Sequence, residues 1–224
     1  MPFHQFSICE VFLRKSNFQF SIKKGFTFIE LLVVITIFGL TASLVTASYL
    51  TFERNQRLKN AALTLKNELR LIQNRALSGD KAPPSDPESC YSKEGILVGW
   101  YLKISTANPN SYRVSGACRI GSDEIDFGAK TVGFAKDVSV GGLEGITGTE
   151  EVNILFRPLL NEASFYKSMA PDEPNFVDVL GNPNSLTQIT PLSELAILLK
   201  NDQGSSKYKV IVKASGEVNE VKIP

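Results

Sequence analysis

Apolar and polar positions follow different periods in successive parts of the chain. Between Glu30 and Glu53 no side chain is charged. That run, Leu31 to Phe52, would reach about 33 Å as a helix at ~1.5 Å per residue, enough to cross a hydrocarbon core of roughly 30 Å. Its first half, LLVVITIFGL, is dense in β-branched and aromatic residues, whereas its second half, TASLVTASYL, carries Thr41, Ser43, Thr46 and Ser48. Beyond Phe52, Leu58, Ala61, Ala62, Leu65, Leu69, Ile72 and Ala76 recur at three- and four-residue spacing, with Arg57, Lys59, Lys66, Asn67, Arg70 and Asn74 between them. This is the stripe of an amphipathic helix. No proline falls between Gly25 and Pro83, so one helix from about Phe26 to Leu77 is expected. Gly39 is its soft point, costing about 1 kcal/mol against alanine. The alternative is two helices joined near Glu53.

Ser78-Gly79-Asp80, followed by Pro83-Pro84 and Pro87, ends the helical pattern, and residues 79–92 read as a loop. Short β-type runs follow at Gly95–Ser105, Ser111–Val114, Glu124–Phe127, Val132–Phe134, Val138–Val140 and Val152–Arg157. Three more stand near the end, Glu194–Lys200, Lys207–Lys213 and Glu217–Ile223, and Ala214-Ser215-Gly216 between the last two signals a hairpin. Leu159–Thr190, rich in Pro, Asn and Asp, reads as a long irregular excursion. The expected class is α+β: a long N-terminal helix, membrane-spanning in its first half, whose amphipathic second half packs on a mostly antiparallel β-sheet head. The expected divisions are a leader at 1–25, a transmembrane segment at 26–52, an amphipathic helix at 53–78 and a β-rich head at 79–224.

Charge sharpens this picture. With 24 basic and 23 acidic residues the net charge is +1, which removes a global electrostatic case for nucleic-acid binding. The leader is locally basic, with Arg14, Lys15, Lys23 and Lys24 against Glu10, and it holds the one histidine, His4. Removal of the leader would leave no imidazole for catalysis or metal binding. Lys23 and Lys24 before the apolar run predict a cytoplasmic N-terminus and an extracytoplasmic head. A secretory signal peptide offers a second reading, but the uncharged run exceeds the usual apolar region of ~7–15 residues. A plain single-pass anchor would leave Glu30 among headgroups, since a carboxylate at mid-bilayer costs on the order of 2.5–3.5 kcal/mol.

The stretch Lys23-Lys24-Gly25-Phe26-Thr27-Phe28-Ile29-Glu30-Leu31-Leu32-Val33-Val34-Ile35 resembles the cleavage and methylation signature of type IV prepilins and type II secretion pseudopilins. The resemblance covers about the first fifth of the chain. It implies that a prepilin peptidase cuts between Gly25 and Phe26 and methylates the new Phe26 amine. The residues suit that chemistry. Gly25 has no side chain to hinder a protease on an extended backbone. Glu30 lies one helical turn from Phe26 on the same face, where a carboxylate complements the helix dipole. In an assembly Glu30 could answer a neighbouring subunit's amine and so set the register between helices. The C-terminal pattern Val210-Ile211-Val212…Gly216-Glu217-Val218 and the segment Ile154-Leu155-Phe156-Arg157-Pro158 are similar to those of H-type minor pseudopilins and related fimbrial minor pilins.

Cys9 falls in the leader. Its loss would leave Cys90 and Cys118 as an even pair in a compartment that permits disulfides. A bond closing about 28 residues contributes roughly 3–4 kcal/mol in the chain-entropy model; two unrelated buried thiols are the alternative. Asp123-Glu124-Asp126 offers oxygen ligands for calcium but lacks the spacing of a calcium loop, which favours a solvated turn. Lys207, Lys209 and Lys213 are candidates for phosphate contacts with nucleic acid, although Glu217 and Glu220 nearby favour an exposed charged strand face. Trp100 and Tyr101 fit a half-buried strand better than a stacking platform.

No catalytic constellation, metal site or cofactor is expected. The expected function is that of a minor pilin or pseudopilin, stored in the inner membrane and then drawn into a pilus or pseudopilus. By resemblance its partners are the prepilin peptidase, an inner-membrane platform protein, an assembly ATPase acting indirectly, other pilins, and membrane lipid before assembly. The alternative is a filament-tip binding module for DNA, a surface or a secreted substrate.

Overall fold

The computed structural model describes residues 25, 27–83, 85–146, 151–167, 187–189, 192–202 and 207–223. The chain divides into two compact units, residues 1–47 and 48–224. One helix, α1 (Phe28–Leu77), runs without interruption through Gly39 and Glu53, so the two-helix alternative falls.

In the first unit the described apolar side chains of α1 are exposed, from Phe28 through Ile35 and Phe38 to Val45. The hydroxyls that break up this segment are satisfied locally. Thr36 donates to the Val33 carbonyl at 2.8 Å, Thr41 to Ile37 at 3.0 Å, Ser43 to Leu40 at 2.8 Å and Thr46 to Ala42 at 2.8 Å. Hydroxyls bonded back to the preceding turn present no unmet polar group to hydrocarbon. The helix is long and apolar enough to cross a membrane, with a mean hydropathy of 2.4 over its most apolar window.

In the second unit the stripe Leu58, Ala61, Ala62, Leu65, Leu69, Ile72 and Ala76 is buried. Full burial of a Leu or Ile contributes about 1.5–3 kcal/mol, so this stripe fixes which face of the helix turns inward. The helix closes with paired bonds from the Asp80 N–H to the Arg75 carbonyl (2.9 Å) and from the Gly79 N–H to the Ala76 carbonyl (3.0 Å). Gly79 sits at φ 69°, the left-handed conformation this C-cap requires.

Among the described residues ten strands follow: β1 (Ile96–Ser105), β2 (Ser111–Ile120), β3 (Asp123–Gly133), β4 (Val138–Glu144), β5 (Glu151–Phe156), β6 (Ala163–Lys167), β7 (Thr187–Gln188), β8 (Glu194–Asn201), β9 (Lys207–Lys213) and β10 (Val218–Ile223). They form two antiparallel sheets, a six-stranded one ordered β3-β2-β1-β5-β6-β7 and a four-stranded one ordered β10-β9-β8-β4. Inward residues of both join the helix stripe in one core: Trp100, Leu102, Ile154 and Phe156 from the first sheet, Ile197, Leu199, Val210 and Val212 from the second. Tyr101, Ala117, Leu155 and Tyr166 make a separate, smaller cluster.

The α+β class stands, with corrections of detail. Two sheets replace the single expected one. Ser111–Val114 is the start of a ten-residue strand, and Glu124–Phe127 and Val132-Gly133 belong to one continuous β3, which ends before Phe134. The excursion Leu159–Thr190 contains β6 and β7; residues 168–186 lie outside the described residues.

Candidate processing and assembly site

The start of α1 is organised by Thr27. Its carbonyl accepts from the N–H groups of Glu30 (3.1 Å) and Leu31 (3.2 Å), and its hydroxyl accepts from the Glu30 N–H at 3.4 Å. Thr27 is therefore the N-cap and Glu30 the third residue of the helix, the spacing of a capping box. Gly25 is exposed and lies just outside the helix, while Glu30 is exposed within its first turn. Phe26 lies outside the described residues, as do Cys9 and His4. The helix thus begins at Phe28, two residues beyond the expected scissile bond, and its first turn presents a carboxylate beside the N–H groups of a helix terminus. The sequence signal for the cap, Thr27-x-x-Glu30, escaped the reading of the motif.

The second set of candidate residues lies in the second unit. Cys90 and Cys118 form a disulfide with Cα atoms 5.5 Å apart, and both are fully buried. The bond ties the loop after α1 to β2. The same loop is held by the Trp100 indole N–H donating to the Asp80 carbonyl (2.7 Å) and by Lys81 donating to the Gly95 carbonyl (2.8 Å). Arg75 lies 4.8 Å over the Trp100 ring, and Phe127 meets that ring edge-on at 5.1 Å. Trp100 is 2% exposed and Tyr101 is fully buried. The half-buried expectation is therefore corrected, and neither ring is a stacking surface.

The acidic cluster does not converge. Asp126 accepts from the Tyr101 hydroxyl at 2.6 Å and from Arg113 at 3.3 Å, Glu124 faces Arg119 at 3.8 Å, and Asp123 accepts from Ser122. Burial first, then the Asp126 charge, pushes the Tyr101 phenol above its ordinary value. Among the described residues no group of His, Cys, Asp or Glu is arranged to hold a metal ion. On the C-terminal sheet, Lys209 pairs with Glu144 and Lys213 with Glu217, each at 2.6 Å. Lys66 of α1 pairs with Glu220 of β10; that hydrogen bond holds the Glu220 carboxyl below its usual range. These pairs occupy most of the strand face that was a candidate for phosphate contacts.

No curated protein and no solved structure matches the chain. Residues 21–46 match the family model described as the prokaryotic N-terminal methylation motif. That match spans Gly25, the capped helix start and Glu30, and it continues into the exposed apolar helix. The chain thus carries, in residues 21–46, the signature of type IV pilins and pseudopilins.

Proposed function

We propose that this protein is a minor pilin or pseudopilin, cut by a prepilin peptidase between Gly25 and Phe26, methylated on the Phe26 amine and assembled into a filament through α1. The observation that carries the reading is a helix capped at Thr27, two residues after Gly25, whose described large apolar side chains from Phe28 to Phe52 are exposed. A bilayer covers that surface in the stored subunit, and neighbouring helices cover it in the assembled one. The leader at 1–25, the spanning segment at 26–52 and the extracytoplasmic remainder follow from the same reading.

Glu30 supplies the register. Cleavage creates a positive amine at Phe26 one turn away, and in a packed bundle of helices the neighbour's amine can take the same place. A charge left without its partner in an apolar interior is strongly unfavourable, so staggers that separate amine and carboxylate are disfavoured. The peptidase and other pilins are the partners closest to the motif; the platform protein, the assembly ATPase acting indirectly and membrane lipid complete the set. The fold supports a structural role, with no catalytic step assigned to any residue.

Mass spectrometry of the membrane-fraction protein tests processing: the mature chain should begin at Phe26 and be heavier by one methyl group. Any other N-terminus removes the basis of the proposal. Glu30→Ala should insert and be cleaved normally yet fail to assemble. A normal filament yield would refute the register role.

A further inference from the structure

The four-stranded sheet is electrically polarised along its strands. At one end Lys200 of β8 and Lys207 of β9 stand directly opposite each other in the register. Both are exposed, and neither joins an ion pair among the described residues. Like charges in that position destabilise a strand pair. Lys222 of β10 pairs with Tyr208, the next residue along β9, and is also exposed. Lys136 is exposed in the turn before β4. Its neighbour Asp137 accepts a hydrogen bond from the Asp202 N–H at 3.1 Å, beside the end of β8. Among the described residues the carboxylates at this end are Glu53, Asp137 and Asp202, and Arg57 bonds the first two at 2.6 and 3.4 Å. At the other end of the sheet the balance reverses, with Glu194 opposite Lys213 and Glu217 paired to it.

The basic end is also where the chain enters the second unit. Arg54, Asp137, Asn201 and Asp202 line one cleft, so the chain neighbours of Lys136 and Lys200 meet a helical turn that begins two residues after Phe52. Val221, 48% exposed on β10, adds an aliphatic surface beside the lysines.

We propose that this lysine rim docks on an anionic phospholipid surface while the subunit is stored in the bilayer, which rests on reading Phe26–Phe52 as the membrane-spanning segment. Phosphate-bearing headgroups supply counter-charge for Lys200 and Lys207, which have no ion-pair partner among the described residues. Lysine stems extend along apolar surface to carry the charge to the interface, and attraction to an anionic leaflet acts over about one Debye length, ~8–10 Å. The contact holds the head against the membrane until extraction. Because it is electrostatic, it releases without disturbing the core.

The test uses the full chain in nanodiscs of phosphatidylcholine, with or without phosphatidylglycerol, treated with an amine-acetylating reagent and read by peptide mass spectrometry. Lys136, Lys200, Lys207 and Lys222 should acetylate about three-fold or more slowly in the anionic discs, as expected for basic residues near an anionic leaflet. Lys93 should be unaffected, and high salt should erase the difference. The double variant Lys200→Glu with Lys207→Glu should lose the slowing at Lys136 and Lys222 while Trp100 fluorescence stays native. Equal acetylation in the two lipids, or slowing that extends to Lys93, overturns the proposal. Slowing that follows the number of protein copies per disc instead of lipid charge also overturns it, in favour of contact with a second copy. A chain that fails to co-elute with discs overturns the spanning segment itself, an outcome visible before any acetylation is measured.

Discussion

Two left-handed glycines provide an internal control on what holds the head together. Gly216, in the turn between β9 and β10, has φ +83°, and an added Cβ would collide with the Asn161 carbonyl and approach the Gln73 amide to 2.6 Å. Gly121, in the turn between β2 and β3, has φ +65° with no atom within 4 Å of such a Cβ. The backbone penalty of Gly→Ala is therefore shared, at roughly 1–2 kcal/mol, and only crowding differs. At Gly216 relief of the collision would disturb the Gln73 amide, which donates to Asn161 Oδ1 at 2.8 Å and to the Gly216 carbonyl at 3.0 Å. Losing a buried hydrogen bond costs about 1–3 kcal/mol, so Gly216→Ala should cost ~3–4 kcal/mol in all. Trp100 is the single tryptophan and is buried, so its fluorescence follows unfolding of the head in a urea titration. With a slope of ~2 kcal/mol per molar urea, the midpoint should fall by about 1.5–2 M for Gly216→Ala and by about 0.5–1 M for Gly121→Ala. Equal falls in the two midpoints would refute the claim that Gln73 and Asn161 clamp the turn.

Three further outcomes follow from the same structure. Cys118→Ser, or reduction of the wild type, should lower stability by roughly 3–4 kcal/mol if the closed loop acts through chain entropy; an unchanged melting curve under reductant would count against a structural bond. Leu69→Ala, fully buried in the stripe, should cost about 2–5 kcal/mol, whereas Leu44→Ala, 72% exposed, should leave the urea midpoint of the isolated protein unchanged. The Lys66 hydrogen bond lowers the folded-state value of Glu220 beneath its ordinary 4.5. Its stabilisation is therefore present above pH 4.5 and fades as pH drops through the lowered folded value. Glu220→Gln should flatten that acid limb, and an unaltered limb would show the pair to be energetically silent.

The helix was legible because its period and its burial agree: each of the apolar residues from Leu58 to Ala76 that defined the stripe lies in the core. Other features were hidden for identifiable reasons. In β2 the central residues Ser115-Gly116-Ala117 do not alternate, yet all are buried. Ser115 fits because its hydroxyl donates to the Phe127 carbonyl at 3.1 Å. In β3, Gly128-Ala129-Lys130 lacks strand formers and is ordered by its place in the register with β2. β6 has five residues within a segment rich in turn formers, and its pairing with β5 decides its conformation. The division into two sheets depends on long-range pairing, which strand patterns read singly do not encode. Trp100 and Tyr101 looked half-buried because alternation places neighbours on opposite faces; a second apolar cluster around Tyr101 and Tyr166 buries the other face as well.

On the proposed function, Glu30 has two separable roles, one at the helix start and one in assembly. Within the single chain, Glu30 closes the first turn of α1 through a backbone N–H that Thr27 caps, and its carboxylate favours the positive end of the helix. That local role is complete without any partner, so the helix start is defined before cleavage and before assembly. The carboxylate nevertheless stays exposed, where it could accept from the amine that the proposed cut between Gly25 and Phe26 would create. Replacement by Gln separates the two roles. It preserves shape and hydrogen-bonding capacity at the cap but removes the charge, so a Glu30→Gln chain should keep its helix and its processing and lose its register. If Glu30→Gln instead assembled normally while Thr27→Ala did not, the cap and not the ion pair would be the feature that filament packing requires.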